Sequence, residues 1–438
     1  MRRLWPQGGL WRQPDFLKLW SAETISVFGS QFSQLALPLV AVILLDASAF
    51  AVSALFVVEF LPFILFALPA GVWVDRLRRK PILVIGDLGR AVLLGSIPLA
   101  YLFDGLTLGH VYVVAFLVGV CTVFFDVAYQ SYLPSLVERD QLVDGNSKLE
   151  ISRSTSQLAG PGAAGAIVGA LGAPFAVLLD AISFAFSAVF LFAIRRKETL
   201  PEPAADAKRP SMLAEAREGL RFVIQNRYLR AISICTGTSN FFFSMSGALI
   251  VVYAIRELDM SPAALGLAFS LGNVGPLLAA FTTSRISNRL GVGPTILWTA
   301  VLFSTSSLFL PLAPKSNPLP FLVAFGVIAG FAGVAYNITQ VSFRQAICPE
   351  RMQGRMNSVI RFVVWGTMPL GALLGGALGT WFGLLSALWV AAIGALFAFL
   401  PILLSPVPKL REMPEPVEEP LPSEAEAAGG LLAAAARE

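Results

Sequence analysis

Four carboxylic acids stand inside long apolar stretches of this sequence, where an ionisable side chain is costly. These residues are Glu23, Glu59, Asp126 and Asp180. A charge at the centre of a bilayer costs about 2.5–3.5 kcal/mol on insertion scales, so acids in such positions tend to mark a transport pathway or a proton site. Glu59 is the most central within its stretch, which contains no basic residue. We therefore predict proton exchange at Glu59, with the other three as further candidates; a structural hydrogen bond is the alternative for each.

The composition places these acids in a membrane protein. Hydrophobic residues make up 56% of the 438 positions and charged residues 14%, far from the balance of a soluble globular chain. Because about 20 apolar residues span the hydrocarbon core as a helix, each long apolar run predicts one transmembrane helix. The runs are residues 19–45, 50–73, 81–103, 109–133, 153–171, 173–194, 229–254, 262–285, 294–313, 318–342, 357–380 and 381–404.

Short matches between the two parts of the chain indicate an internal repeat. The segment "DRLRRKP" at 75–81 matches "NRLGVGP" at 288–294, 213 residues later. Two further matches have an offset of 207: "VAYQ" at 127–130 with "VAYN" at 334–337, and "GALG" at 169–172 with "GALG" at 376–379. Duplicated helix bundles are typical of transporters, whereas chance similarity of apolar sequence is the alternative. We predict an all-α integral membrane protein with twelve transmembrane helices in two pseudo-symmetric six-helix halves.

This repeat divides the chain into five parts. The two helix bundles are residues 19–194 and 229–404, and the linker 195–228 contains a basic amphipathic segment, Ser211 to Asn226, that should lie on the membrane surface. Residues 1–18 form an N-terminal segment. The Pro-, Glu- and Ala-rich tail 405–438 is predicted to be disordered.

The distribution of basic residues predicts the orientation. With the N-terminus inside, only Arg256 and Lys315 of the 32 Lys and Arg residues fall outside, so both termini should be cytoplasmic in a multi-pass plasma-membrane protein. The net charge of +4 includes an acidic tail and argues against a nucleic-acid partner. The three cysteines have no paired spacing, so neither a disulfide framework nor a metal site is expected.

An enzymatic function fits the sequence poorly. The sole histidine, His110, falls in a predicted outer loop, which leaves no histidine for acyl transfer or metal chemistry within the membrane. There is also no Gly-x-x-x-x-Gly-Lys-Ser/Thr motif that would bind a nucleotide. We expect no catalytic residues and no cofactor, so that an ion gradient must supply the work.

A dense group of charges, "GVWVDRLRRKP" at 71–81, separates the second and third runs. It resembles the loop motif of the major facilitator superfamily. The residues that match are Gly71, Asp75, Arg76, Arg79 and Lys80, while Arg78 stands where Gly or Asp is usual. The resemblance implies a conformational latch: Asp75 would contact the start of span 11 near Asn357 and Ser358, and Arg79 and Lys80 would hold Asp126 or Glu138. A role in membrane topology alone is the alternative.

A second motif lies in span 5, where "AGPGAAGAIVG" at 159–169 is similar to the Gly-Pro-x-x-Gly-Gly motif of exporters in this superfamily. Gly160, Pro161 and Gly165 match, and Ala164 departs from the pattern. Ordinary packing of small residues is the alternative. With "DLGRA", "LPSLVERDQL" and "LLDAISFAFSA", the chain is similar to the branch that contains the enterobactin exporter and macrolide-efflux proteins. The resemblance implies proton-linked export of an amphipathic molecule such as a drug, macrolide or siderophore.

The remaining polar residues of the spans suggest how the substrate is held. Asp87 and Arg90, three residues apart, are expected to pair within one helix. Spans 8 to 12 contain no carboxylate, so the second half should contribute polar and aromatic contacts. The predicted substrate-cavity residues are Gln31, Gln34, Asn240, Phe241, Asn273, Asn337 and Gln340. The expected partners are a small amphipathic substrate, protons and membrane lipids, and the protein is expected to be a monomer. A lipid flippase, a solute importer and a non-transporting receptor or scaffold remain as alternatives.

Overall fold

The first half of the chain is a bundle of six long helices. The structure is a computed structural model that describes residues 9–138, 141–196 and 212–412. In the first half the helices are α1 (Pro14–Leu39), α2 (Ala49–Arg76), α3 (Arg79–Leu102), α4 (Leu108–Leu136), α5 (Leu142–Leu171) and α6 (Ala173–Phe192). A 3-10 turn, Gly9–Arg12, precedes α1, and a π-helical turn, Val40–Leu44, extends it.

The second half repeats this arrangement after a short helix. The helices are α7 (Met212–Gln225), α8 (Arg227–Arg256), α9 (Pro262–Gly272), α10 (Val274–Leu290), α11 (Val292–Ser306), α12 (Leu319–Ile347), α13 (Glu350–Phe382), α14 (Leu384–Leu396) and α15 (Leu400–Leu403). α9 and α10 form one span, bent at Asn273, and α14 and α15 together form another.

Ten helical stretches in the described part of the chain are long and apolar enough to cross a membrane. The expected all-α membrane architecture is therefore confirmed. α5 and α13 have 30 and 33 residues, but their first halves are rich in polar and charged residues, so they are not among the ten. Because a count of twelve spans includes these two helices, that count stays a prediction.

Equivalent helices of the two halves begin at a nearly constant separation. α1 and α8 begin 213 residues apart, as do α3 and α11, while α4 and α12, and also α6 and α14, begin 211 residues apart. The sequence matches at an offset of 207 are therefore one helical turn out of register. Gly172 corresponds to Gly383 rather than Gly379, since each adopts a positive φ, +93° and +88°, at the turn into the next helix. Only glycine adopts this conformation without strain, which explains the two tight turns.

The segments outside the bundles are partly ordered. α7 is helical as the linker pattern predicts, and it packs against α13 through Gly219 and the buried Val223, with Glu218 bonded to Arg355 at 2.5 Å. The predicted disordered tail begins differently: its first residues, 405–412, pack against α11, where the Gly293 N–H donates to a backbone carbonyl at 2.9 Å. Residues 1–8, 197–211 and 413–438 lie outside the described residues.

The two ends of the bundle differ in charge. Lys18, Arg78, Lys80, Arg195 and Arg196 lie at the end where α1 begins and α6 ends, which we call the basic end. The other end, where α1 leads into α2, is called the opposite end. Lys80 donates to the carbonyls of Phe192 and Ile194, at 2.9 and 2.7 Å, and so ties the start of α3 to the end of α6.

Close helix packing at Gly275 offers a test of the fold. A Cβ at this position would meet the Val327 carbonyl of α12, whereas a Cβ at Gly247 has no atom within 4 Å. We expect Gly275→Ala to lower the free energy of unfolding by about 1–3 kcal/mol, since an overpacked contact must move apart. Gly247→Ala should be neutral or stabilising, because alanine is the better helix former. Thermal unfolding of both variants in the same detergent measures this, and equal stability would contradict the packing.

Candidate functional site

Two of the four predicted acids lie in one cavity inside the first half. A space of about 300 Å³ is enclosed by α1, α2, α3, α4 and α6, and it is lined by Glu59, Asp180 and Arg90 together with Gln31 and Gln34. All three charged residues lie near the middle of their helices. The structure therefore groups an uncompensated acid, a buried acid and a cation at mid-bundle.

The environments of the two acids differ. Glu59 is half-buried, and among the described residues its carboxyl makes no hydrogen bond or ion pair, so it faces the cavity without a fixed partner. Asp180 is 1% exposed and accepts a hydrogen bond from the Ser183 hydroxyl at 3.1 Å. The backbone of α1 passes so close that a side chain at Gly29 would collide with Ser183. Asp180 is thus held in place, whereas Glu59 is available to a mobile proton.

Arg90 is the fixed cation of this cavity. Its guanidinium is bonded to Asp87 of the same helix, which confirms the expected intrahelical pair. It also lies between the rings of Phe125 and Phe184, 4.2 and 4.1 Å from their centroids. Two aromatic faces and an ion pair leave the guanidinium little freedom, and each cation–π contact is attractive in a desolvated site. The positive charge therefore stays beside the cavity.

The other two acids form a separate group nearer the basic end. Glu23 is buried and lies 3.5 Å from Arg153 of α5. Asp126 and Arg153 line a larger cavity of about 850 Å³, bounded by α4, α5 and the Leu277 and Phe281 side chains of α10. This cavity lies between the two halves and has both polar and apolar walls. It is the described space with room for a sizeable organic molecule.

The predicted substrate contacts of the second half lie away from both cavities. Asn273 donates to the Gln157 carbonyl of α5 at 2.6 Å, so it bridges the halves instead of lining a cavity wall. Asn240 donates to the Val364 carbonyl at 3.4 Å. Asn337 and Gln340 bond to each other at 3.1 Å, and the Phe241 backbone packs against Gly371. Their role as substrate contacts stays a prediction.

The halves are in close contact towards the opposite end. The Phe50 N–H of α2 donates to the Thr380 hydroxyl of α13 at 3.0 Å, and Arg256 of α8 is paired with Asp46 at 2.6 Å. Gly165 of α5 packs directly on Pro262 and Gly266 of α9. Towards the basic end, the 850 Å³ cavity separates α4 and α5 from α10. The molecule is therefore closed at the opposite end and open at the basic end.

Comparison with known families settles what kind of protein has this architecture. The family model for transmembrane secretion effectors matches residues 9–428 of the chain. The chain belongs to this family of the major facilitator superfamily. The expected superfamily assignment is thereby confirmed, and the protein is a multi-pass membrane transporter and not an enzyme.

Individual relatives of this transporter agree with that assignment. The chain is 27% identical over 380 residues to the multidrug efflux pump Tap of Mycolicibacterium fortuitum, covering 84% of this chain and 88% of Tap. It is 22% identical over 366 residues to macrolide efflux protein A of Streptococcus pyogenes, covering 82% and 88%. A bacterial homologue of the iron transporter ferroportin, solved in an inward-facing state, superposes with a TM-score of 0.72 at 16% identity over 90% of this chain and 99% of that one. This last likeness shows the shared fold.

The two superfamily motifs are placed unequally in the transporter. In span 5, a Cβ at Gly160 would collide with the Gln31 side chain of α1, and Pro161 and Gly165 lie against Gly266 of α9. In the loop motif, α2 ends at Arg76, and the side chains of Gly71, Asp75, Arg76 and Ser358 lie outside the described residues. The latch contact, and an acid partner for Arg79 and Lys80 at Asp126 or Glu138, therefore stay predictions.

Arg90 is the site residue that the sequence analysis missed. The spacing of Asp87 and Arg90 indicates an ion pair, but a pair between neighbouring turns explains a buried charge without a cavity. The two phenylalanines that hold Arg90 come from α4 and α6, which are remote in the chain. A basic residue in the middle of an apolar run was the available signal.

The contact of α5 with α9 predicts how the closed end is maintained. Gly165→Val should hold the halves apart at the opposite end, because a Cβ there would collide with the Pro262 carbonyl. Gly169→Val is the matched control, since its Cβ would make only an ordinary contact with Ala263. Spin labels at Asp104 and Lys315, in a protein with its native cysteines replaced by alanine, report the separation. A longer distance in Gly165→Val alone is expected; identical distances in both variants would show that this contact does not control closure.

Proposed function

We propose that this transporter exports amphipathic small molecules across the plasma membrane in exchange for protons, by alternating access. In this proposal the basic end is cytoplasmic, in accord with the rule that basic residues flanking the spans stay inside. The observation that carries the proposal is the cavity in the first half where Glu59 and Asp180 lie with Arg90. The coupling ion follows from that cavity, and the substrate class follows from the larger one.

The case for protons rests on the charges near the middle of the spans. Between Asn226 and the start of α13 the helices of the second half contain no carboxylate, so an ion carried by the spans must use the first half. The 300 Å³ cavity offers an unpaired acid, Glu59, beside a permanently held cation, Arg90. A neighbouring cation stabilises a carboxylate, so Glu59 can release a proton without leaving an uncompensated negative charge. A metal ion would be repelled by the same guanidinium.

The case for an amphipathic substrate rests on the cavity between the halves. Its walls combine apolar side chains, Leu158, Leu277 and Phe281, with the charged residues Glu150 and Arg153. Mostly apolar walls with a few polar groups are typical of small-molecule sites. The names of two relatives, a multidrug efflux pump and a macrolide efflux protein, favour export of a molecule of this kind. Siderophores share the required mixture of polar and apolar surface.

The conformation of the structure fits the loading step of an exporter. The cavity is open at the basic end and closed at the opposite end by the Arg256–Asp46 pair and the contact of Gly165 with α9. A cytoplasmic substrate can therefore enter. Export then requires the opposite end to separate while the basic end closes, where Asp75 would act as the latch.

Glu59→Gln tests the proton coupling. The amide cannot ionise, so proton-coupled export should be lost while substrate binding is retained. Purified protein in liposomes with an imposed pH gradient is supplied with macrolides, siderophores and cationic dyes one at a time, and the lumenal pH is recorded. Asp104→Asn, in an exposed loop of the opposite end, is the matched control and should behave as the wild type.

Two results would change this proposal. If pH dependence is the same in Glu59→Gln as in the wild type, Glu59 has no part in coupling, and Asp180→Asn becomes the next variant to measure. If folded wild-type protein moves no protons with any compound of the panel, lipid translocation or another coupling ion is the better explanation.

Asp75→Asn tests the latch. Loss of the carboxylate should weaken the state that is closed at the basic end, because the dipole at the start of a helix favours a negative charge. We expect the population to shift towards the inward-open state. Distances between spin labels at Arg78 and Arg289, measured by double electron–electron resonance, should lengthen; an unchanged distribution would count against the latch.

A further inference from the structure

A long groove on the first half faces the lipid and has no covering element among the described residues. It has a volume of about 660 Å³ and runs between α5 and α6, with α1 as its floor. The α1 residues that line it extend from Trp20 to Phe32, a rise of about 18 Å at 1.5 Å per residue. Ile182 and Phe186 on its rim are 41% and 56% exposed. The groove thus follows the membrane normal for more than half of the hydrocarbon thickness of about 30 Å.

The groove offers hydrocarbon contacts and almost no free polar group. Its hydroxyl residues already have partners: Thr24 donates to Ser152 at 2.9 Å, and Ser156 and Ser183 donate to carbonyls of their own helices at 2.9 and 2.8 Å. Thr155 likewise donates to the Ile151 carbonyl at 2.8 Å. Because no hydroxyl needs a ligand, the groove suits a chain of methylene groups better than a polar molecule.

The end of the groove nearest the basic end has the features of a headgroup site. Trp20 makes an edge contact with Trp11, with ring centroids 5.1 Å apart, and the Lys148 ammonium lies 5.3 Å from the Trp11 ring. Tryptophan is enriched at the membrane–water interface, so this cluster marks the depth of the headgroups.

Basic side chains surround that end. Lys18 donates to the Ala193 carbonyl at 2.8 Å, which brings the start of α1 to the end of α6 and to Arg195. Asp15 is occupied by Lys18 and by the backbone N–H of Arg195. Among the described residues, the exposed side chains of Arg12 and Arg195 make no ion pair. Two uncompensated cations therefore face the headgroup layer.

We propose that this groove binds one anionic phospholipid of the leaflet at the basic end, with an acyl chain between α5 and α6 and the phosphate near Arg12 and Arg195. An anionic lipid is favoured over a zwitterionic one because each basic residue near the surface contributes about 1 kcal/mol to binding. Ile151 and Thr155 line both the groove and the 850 Å³ cavity. A bound chain therefore supports α5 from the side opposite to that cavity. This site does not depend on the proposed transport activity.

Native mass spectrometry of the full-length protein, released from nanodiscs containing equal amounts of phosphatidylglycerol and phosphatidylethanolamine, tests the site. Wild type should retain one phosphatidylglycerol. Ile182→Trp fills the groove and should abolish retention, whereas Val92→Trp, at similar depth on the exposed face of α3, should not. Replacing Arg12 and Arg195 by glutamine should weaken retention about fivefold for each arginine; Arg285→Gln with Arg289→Gln is the matched control.

Fluorescence quenching provides a test that needs no change in the groove. Phosphatidylglycerol with brominated chains should quench the wild type more than Trp20→Phe, with the difference saturating at one lipid. The proposal is overturned if Ile182→Trp and Val92→Trp retain equal phosphatidylglycerol, if phosphatidylethanolamine is retained equally well, or if Trp20 contributes nothing to the quenching. Displacement of the lipid by a macrolide would assign the groove to the substrate instead and would also overturn it.

Discussion

The hydrocarbon interior of a bilayer supplies no hydrogen-bond partner, and the structure depends on this constraint. Every backbone N–H and carbonyl in the membrane must be satisfied within its own helix, so the spans have no alternative secondary structure. The same constraint governs the charged side chains. Arg90 is tolerated near the middle of α3 because Asp87 neutralises it and two phenylalanine rings receive its faces. Asp180 is tolerated because Ser183 donates to it. Glu59 has no such partner, which is why it stands out as a functional group.

Lipid also removes the hydrophobic driving force between helices, so the halves must be joined by close fit. The contact of α5 with α9 illustrates this: Gly165 and Gly266 allow the two backbones to touch, and no side chain could be added without separation. α5 consequently has three distinct faces. One packs on α9, one lines the cavity between the halves through Arg153, and one forms a wall of the lipid-facing groove through Ser152 and Ser156. A movement of α5 therefore changes all three environments together.

Much of the fold could be predicted from the sequence because its signals are local. Length and hydropathy indicate the spans, and Gly-rich segments indicate the close contacts of α5. The register of the repeat could not be predicted by matching letters, because apolar sequence matches itself equally well one turn away. The correct register came from the positive φ at Gly172 and Gly383. The candidate site was predicted in part: Glu59 and Asp180 were both identified, but their shared cavity depends on how five helices pack. For the same reason Arg90 was read as a partner of Asp87 and not as a wall of that cavity.

The unequal distribution of charge has a mechanical consequence for the proposed exchange. The acids near the middle of the spans belong to the first half, and the described helices of the second half contain no carboxylate after Glu350 begins α13. Proton release at Glu59 is then an event within one bundle, 300 Å³ in extent, and it does not by itself reach the substrate cavity. The signal must pass through helices that belong to both environments. α2 meets this requirement, because it carries Glu59 and also contacts α13 through Phe50 and through Phe60, whose ring lies 5.8 Å from that of Trp365. A change in the charge of Glu59 that shifts α2 by a fraction of a helical turn would therefore act on the junction that must open for export.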